Sequence, residues 1–490
     1  MNMIRLMRLT VLLLLLSTAA GCNRETIMPE PERPARPDTN EDLLKDSVYH
    51  YTYGFYLWQA DLPDWFGDVR NHTRQYNSAD AVLETLKGYA RDGAGNPYDR
   101  FSFLDRWGTV NAEIQEGYAG SFGFDVRYNN DTDLYVKKVD IGSPAYQQGI
   151  RRGWQIVQLN GTSDLSLASM ERDNFAFLFG ALDAGQISLV LRKPNGNEVA
   201  VDMQRGNYQL QPIMSQKTYN VAHKKVGYFA FDIFVSTLDN RGNPTYVKDQ
   251  LDELMASFEA EGAEELIVDL RYNGGGAVAT AEYLSDLLAP IAVGDGVMYT
   301  NKVNNGLDDF LRNHGVRIDF SPVHFHKTNN LNLHRIYFLV TEGTASASEL
   351  LINNLSPHID VKLIGEHTTY GKPVGFFNWN ILGVDLYAVS FQTFNSAGYG
   401  DYFSGMPVDK VVFDDLTRDF GDAQEDMIAE ALYYAENGTF STDNESLQAT
   451  ARMRLSGSSS NRINRTLDRH GRKGMYTFNS YIALSNNGWD

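Results

Sequence analysis

With 490 residues, 43% of them hydrophobic and 12% aromatic, the chain has apolar material for roughly two to four packed domains, which excludes fibrous and largely disordered classes. Its 43 Lys and Arg stand against 62 Asp and Glu, a net charge of −19, so the basic surface that a nucleic-acid backbone requires is not expected. A single cysteine excludes an internal disulfide and a cysteine-rich metal cluster.

The first 21 residues read as an export signal. Arg5 and Arg8 precede a short apolar run, Leu9 to Leu16, and the small residues Ser17 to Gly21 lead directly to Cys22. The run is well short of the roughly 20 residues of a membrane-spanning helix. The arrangement resembles a bacterial lipoprotein signal, which implies cleavage before Cys22 and lipidation of that residue; an ordinary secretory signal cut near Ala20 is the other reading. Residues 22–40, with Pro29-Glu30-Pro31-Glu32-Arg33-Pro34, have the composition of a flexible stalk. The expected product is a body tethered to the membrane through its N-terminal lipid in the bacterial cell envelope, facing the periplasm, with the outer membrane or cell surface as the other readings.

From 41 to 112 the apolar spacing is helical. Leu44, Val48, Tyr51, Phe55 and Trp58 form one stripe and Ala79 to Tyr89 a second periodic segment, so an N-terminal helical domain is expected, with its dense aromatics packing a cap or brace. The turn-rich run Asp92 to Pro97 ends it.

Residues 116–205 change to short strands at Leu134–Val139 and Ile187–Arg192, with Gly142-Ser143-Pro144-Ala145-Tyr146 opening a short helix. This strand, helix, turn, strand run resembles a PDZ domain. The resemblance implies that the loop Gly120-Ser121-Phe122-Gly123-Phe124 offers backbone N–H groups to a peptide carboxylate and that an exposed edge strand accepts the peptide, although such units also serve as structural braces.

From 213 to 437 strands alternate with helices: strands at Val226–Phe234, Glu265–Leu270 and Ile336–Val340, helices at Tyr246–Ala260, Ala277–Leu288 and Ala345–Leu355. The continuous apolar strands suit a sheet buried on both faces, with a site at the carboxyl ends of its strands. Three runs there have residues fit for chemistry. Gly274-Gly275-Gly276 follows a buried strand, at an entropic cost that a sharp turn exposing N–H groups explains. Thr344-Ala345-Ser346-Ala347-Ser348-Glu349 joins a strand to a helix, where Ser346 is placed as a nucleophile; Ser346 and Glu349 equally have the spacing of a capping box. Lys372 lies in Thr369-Tyr370-Gly371-Lys372 beside Phe376 and Phe377, where lost solvation would lower its pKa toward that of a general base; a solvent-facing loop lysine is the alternative.

Together with Gly405-Met406-Pro407-Val408-Asp409, these runs resemble the tail-specific, or C-terminal processing, serine peptidases of family S41 over residues 116–432. The resemblance implies an α/β crotonase/ClpP-like core with an inserted or preceding PDZ-like β domain, Ser346 as nucleophile, Lys372 as base, and the N–H groups of Ala347 and of Gly275 or Gly274 as oxyanion donors. It implies protein or peptide substrates and neither cofactor nor metal. One position departs: family members place a glutamine four residues after the lysine, and Phe376 stands there, leaving the hydroxyls of Thr344, Ser348 or Thr369, or a backbone carbonyl, to orient the lysine. A non-catalytic scaffold on the same fold is the alternative. The residues from 438 to 490 are polar and read as an extension or a late brace.

Overall fold

The computed structural model describes residues 39–315, 318–442, 463–464 and 466–467. The signal, Cys22 and the expected stalk up to residue 38 lie outside them, and Asn40, expected as the stalk's last residue, opens a helix instead. No helix among the described residues is long and apolar enough to cross a membrane.

The N-terminal segment begins with α1 (Asn40–Phe55) and α2 (Ala79–Lys87), the second opened by Ser78, whose side chain accepts from the Ala81 N–H. Strand β1 (Phe103–Asp105) follows. The next region holds β2 (Tyr118–Ser121), β3 (Phe124–Tyr128), β4 (Leu134–Val139), β5 (Gln155–Leu159), α3 (Ala176–Asp183), β6 (Gln186–Arg192), β7 (Glu198–Gln204) and β8 (Gly206–Gln209). Strands β3 to β7 make one antiparallel sheet in chain order, with β3 at its edge.

The remainder is α/β. It comprises β9 (Ile213–Val221), β10 (Lys224–Phe231), α4 (Tyr246–Glu261), β11 (Ala263–Asp269), α5 (Val278–Leu288), β12 (Val297–Val303), β13 (Val323–His324), β14 (Arg335–Val340), α6 (Ala347–Leu355), β15 (Asp360–Gly365), β16 (Val374–Ile381), β17 (Val384–Asn395), β18 (Lys410–Val411) and α7 (Asp426–Asn437). The central sheet runs β18-β15-β14-β11-β10-β9, parallel except for the β9–β10 pair.

Alternate side chains of its middle strands enter two cores, which is why those strands are apolar without a break. Phe229, Leu266, Val268, Ile336 and Phe338 pack with α4, α5 and α6, while Tyr228, Ile267, Tyr337 and Leu339 pack with α7. Each such residue contributes roughly 1.5–3 kcal/mol by its burial.

The helices from 44 to 86 share a core with the body. Leu44, Val48, Phe55, Val82 and Leu86 join Leu386, Ala388 and Val389 in one cluster, and β1 pairs with β17. An amphipathic helix needs an apolar partner, and this one comes from strands some 300 residues downstream.

Buried ion pairs join the β region to the α/β body. Arg152 donates to Asp414 at 2.5 Å and to the Tyr272 hydroxyl at 2.7 Å, and Arg127 reaches both oxygens of Glu366 at 2.7 Å. Arg271 completes the network with Asp269, Asp414 and Glu425. Burial alone would raise the Asp414 carboxyl, but the Arg152 and Arg271 guanidinium groups hold it well below the usual carboxylate range.

Candidate active site

Strands β11, β14 and β15 are parallel neighbours, so their carboxyl ends set three loops side by side: 270–277 after β11, 341–346 after β14 and 366–373 after β15. The first two are stitched together. The Thr344 hydroxyl donates to the Leu270 carbonyl at 2.7 Å, and Asn273 O accepts from the Ala345 N–H at 3.1 Å and the Ser348 hydroxyl at 3.0 Å.

Ser346 stands at the turn from β14 into α6 with φ +59° and ψ −114°, a conformation that side-chain-bearing residues rarely adopt. Strain of this kind costs on the order of 1–3 kcal/mol and persists where the surroundings over-determine it. Here they do: the Ser346 N–H donates to Glu349 Oε2 at 2.9 Å, and its carbonyl accepts from the Leu350 N–H at 2.8 Å. The side chain remains only half-buried.

Glu349, buried in the first turn of α6, does more than cap. Oε2 also accepts from the Lys372 N–H at 2.8 Å, and Oε1 accepts from the Gly371 N–H at 2.6 Å and the Thr369 hydroxyl at 2.5 Å. One carboxylate therefore ties the backbone of Ser346 to that of Lys372. Burial pushes its carboxyl above the ordinary range, against the Thr369 hydroxyl and three N–H donors that favour the anion. Sequence reasoning assigned Glu349 to a cap and missed this second role; its spacing to Ser346 carries no sign of the loop 20 residues on.

Lys372 is 2% exposed. Its Nζ lies 3.9 Å from the centre of the Phe376 ring and 6.0 Å from that of Phe101. Loss of solvation lowers the amine to about 7, against the opposing pull of the Glu349 and Asp99 carboxylates. The hydroxyls expected to orient it donate to other groups, Thr344 to Leu270, Ser348 to Asn273 and Thr369 to Glu349. Phe376 instead supplies an apolar face against the amine.

The wall of this pocket comes partly from the N-terminal segment, expected only to brace. Arg100 donates through Nη2 to the carbonyls of Tyr370, Gly371 and Phe403 at 2.9–3.1 Å. Gly371 has φ +91°, and a Cβ there would lie 2.4 Å from the Phe403 carbonyl oxygen, so the turn that presents Lys372 admits glycine alone. The Gly405–Asp409 run closes the loop from the other side, with the Met406 N–H donating to the Thr369 hydroxyl at 2.8 Å.

The expected oxyanion donors divide. Ala347 is the first residue of α6, where an N–H has no acceptor within its own helix. The Gly275 N–H, preferred from sequence, instead donates to Asn273 Oδ1 at 2.8 Å. That correction leaves Gly274 as the glycine of the pair to place beside Ala347. Asn273 precedes the glycines, and an Asx-type turn claims the N–H two residues on.

The loop Gly120–Phe124 lies in the β region. Phe122 and Phe124 are buried in its core, and the Gly123 N–H donates to the Ser121 hydroxyl at 3.0 Å. A cavity of about 600 Å³ reaches from Ser121, Phe122 and Phe124 to Gly274 and Gly275. Ser346 and Lys372 do not line it; the glycine turn is where the two regions meet. His367 is exposed.

The family model "Peptidase family S41" matches residues 225–389, a span that includes the glycine turn, Ser346 and Lys372. Residues 225–389 thus carry the pattern of peptidase family S41. The chain is 25% identical over 308 residues to the carboxy-terminal processing protease CtpA of Bacillus subtilis (strain 168), covering 63% of itself and 58% of that protein. It is 24% identical over 307 residues to the carboxyl-terminal-processing protease of Synechocystis sp. (strain ATCC 27184 / PCC 6803 / Kazusa), covering 62% of each. It thus spans about three fifths of the length of these relatives. Its fold is that of a candidate S41 protease from Bacteroides fragilis NCTC 9343, with a TM-score of 0.58, 24% identity, and coverage of 84% of this chain and all of that one.

Proposed function

We propose that this chain is a serine endopeptidase with a Ser346–Lys372 dyad, tethered to the bacterial envelope through a lipid on Cys22, and that its β region is a PDZ-like domain that captures C-terminal segments of exported proteins. The observation that carries the reading is the Glu349 carboxylate, which joins the backbones of a strained serine and a desolvated lysine.

With a pKa of about 7, Lys372 is neutral in about half the molecules at neutral pH. The neutral amine takes the Ser346 hydroxyl proton as Oγ attacks the peptide carbonyl carbon. The resulting oxyanion accepts from the Ala347 and Gly274 N–H groups. Lys372 then returns the proton to the departing amine, leaving an acyl-enzyme. Water, deprotonated by the same lysine, attacks the ester and releases Ser346.

Digestion of an unstructured protein by wild type, Ser346→Ala and Lys372→Ala tests this. Cleavage by wild type alone supports the dyad, and equal cleavage by all three removes it. A second reading, a peptide-binding lipoprotein without turnover, draws support from the Gly275 N–H being held by Asn273. A serine-directed phosphonate separates the two: it labels Ser346 of a working dyad and leaves the scaffold unmodified.

A further inference from the structure

Strand β3 is the edge of its sheet, pairing with β4 alone among the described strands, so its outward N–H and C=O groups are available to an added strand. At Tyr128 they are already taken. Asn464 Oδ1 accepts from the Tyr128 N–H at 2.8 Å, and Asn464 Nδ2 donates to the Tyr128 carbonyl at 2.9 Å. A primary amide reproduces here, in one side chain, the donor and acceptor pair that a peptide bond would bring. The partners are 336 residues apart in the chain.

The flanking side chains follow it. Residues 463, 464, 466 and 467 are helical, and Ile463 and Leu467 are buried in the same apolar cluster as Phe122, Phe124, Val126 and Leu178. Leu467 also lines the cavity that reaches Gly274 and Gly275. A strand added to β3 needs the ladder groups of Tyr128 and the apolar space beside them, so this segment and an added peptide exclude one another.

We infer that Ile463, Asn464 and Leu467 form an intramolecular ligand of the β3 edge, which a substrate's C-terminal segment must displace before it can dock. The inference rests on the peptide-capture reading above. A site occupied by its own chain binds with an affinity reduced by the fraction of time it stands open, and releasing the segment removes that reduction.

The test uses the full chain with Ser346→Ala, so that binding is read without cleavage. A fluorescent decapeptide with an apolar C-terminal residue and a free carboxylate is titrated by anisotropy into this protein and into its Asn464→Ala and Leu467→Asp variants. We expect Kd to fall about threefold to tenfold in each variant. Adding the decapeptide to the protein with Asn464 and Leu467 intact is expected to speed hydrogen exchange at residues 463, 464, 466 and 467. Asn464→Ala removes two hydrogen bonds and no apolar contact, so it keeps the test open where Leu467→Asp disturbs the β region. Unchanged or weaker binding by a normally folded Asn464→Ala protein overturns the inference and leaves peptide capture standing. Absence of binding by every form overturns both, while cleavage by Ser346 is judged separately by the digestion experiment.

Discussion

Replacing Lys372 by methionine should stabilise the protein, and by an amount that depends on pH in a way only a buried, desolvated amine explains. An unfolded lysine titrates near 10.4, whereas this one is lowered to about 7 by burial. Below pH 7 both states carry the proton, and the folded state bears the full cost of an ammonium group out of water, roughly 4–5 kcal/mol at pH 6. Between pH 7 and about 10.4 the folded amine is neutral while the unfolded one stays charged, so the cost falls by about 1.4 kcal/mol per pH unit, to about 2 kcal/mol at pH 9, and it vanishes above. Methionine has a similar length and no charge, so Lys372→Met should gain that much. The assay is urea unfolding of Ser346→Ala and Ser346→Ala/Lys372→Met at pH 6 and pH 9, the shared serine change preventing self-digestion. A stability difference that is the same at both pH values would refute the claim that Lys372 is desolvated in the fold.

Other predictions follow from the same pocket. The acid limb of kcat/KM should rise with pH through about 7 as Lys372 loses its proton, read from initial rates between pH 5 and 9. Glu349→Gln should lower kcat by at least about a hundredfold, because the replacement amide cannot accept all four donors and Ser346 and Lys372 lose their common tie; the unpaired donors should also lower stability by about 1.5–3 kcal/mol, measured by denaturant unfolding. Gly371→Ala forces a side chain into a positive-φ position against the Phe403 carbonyl and should abolish most activity while leaving peptide affinity of the β region unchanged by anisotropy. Arg100→Ala leaves three carbonyls without their shared donor and should lower stability by about 1–3 kcal/mol.

The elements that hold the loops of the candidate site were legible because their strands are buried on both faces. The expected strand Ile336–Val340 is observed as Arg335–Val340, and the expected helix Tyr246–Ala260 as Tyr246–Glu261. The glycine run and the strand-to-helix turn at Ser346 were legible as places where a backbone must bend sharply. What lay beyond local pattern was pairing over distance. Nothing around Asp99-Arg100-Phe101 announces that it walls a pocket built around residue 372, and Glu349 reads as a cap because its nearest partner in sequence is one. The choice between Gly274 and Gly275 turned on the Asn273 side chain, a rotamer that spacing cannot express. Phe376 looked like a defect when judged as a missing hydrogen-bond acceptor; its ring instead lies over Nζ and helps to close the amine off from water.

The Lys372 pocket is closed by residues far apart in the sequence: Phe101 and Arg100 on one side, Phe376 and the 403–406 turn on the other, with the Arg100 contacts spanning 270 to 303 residues. A chain that has not yet brought these together exposes the amine to water, where at pH 7 only about one lysine in 2,500 is neutral. Closing the pocket raises that proportion about a thousandfold. A neutral amine at position 372 is therefore a property of the completed fold, since segments up to 303 residues apart must meet before water is excluded from it.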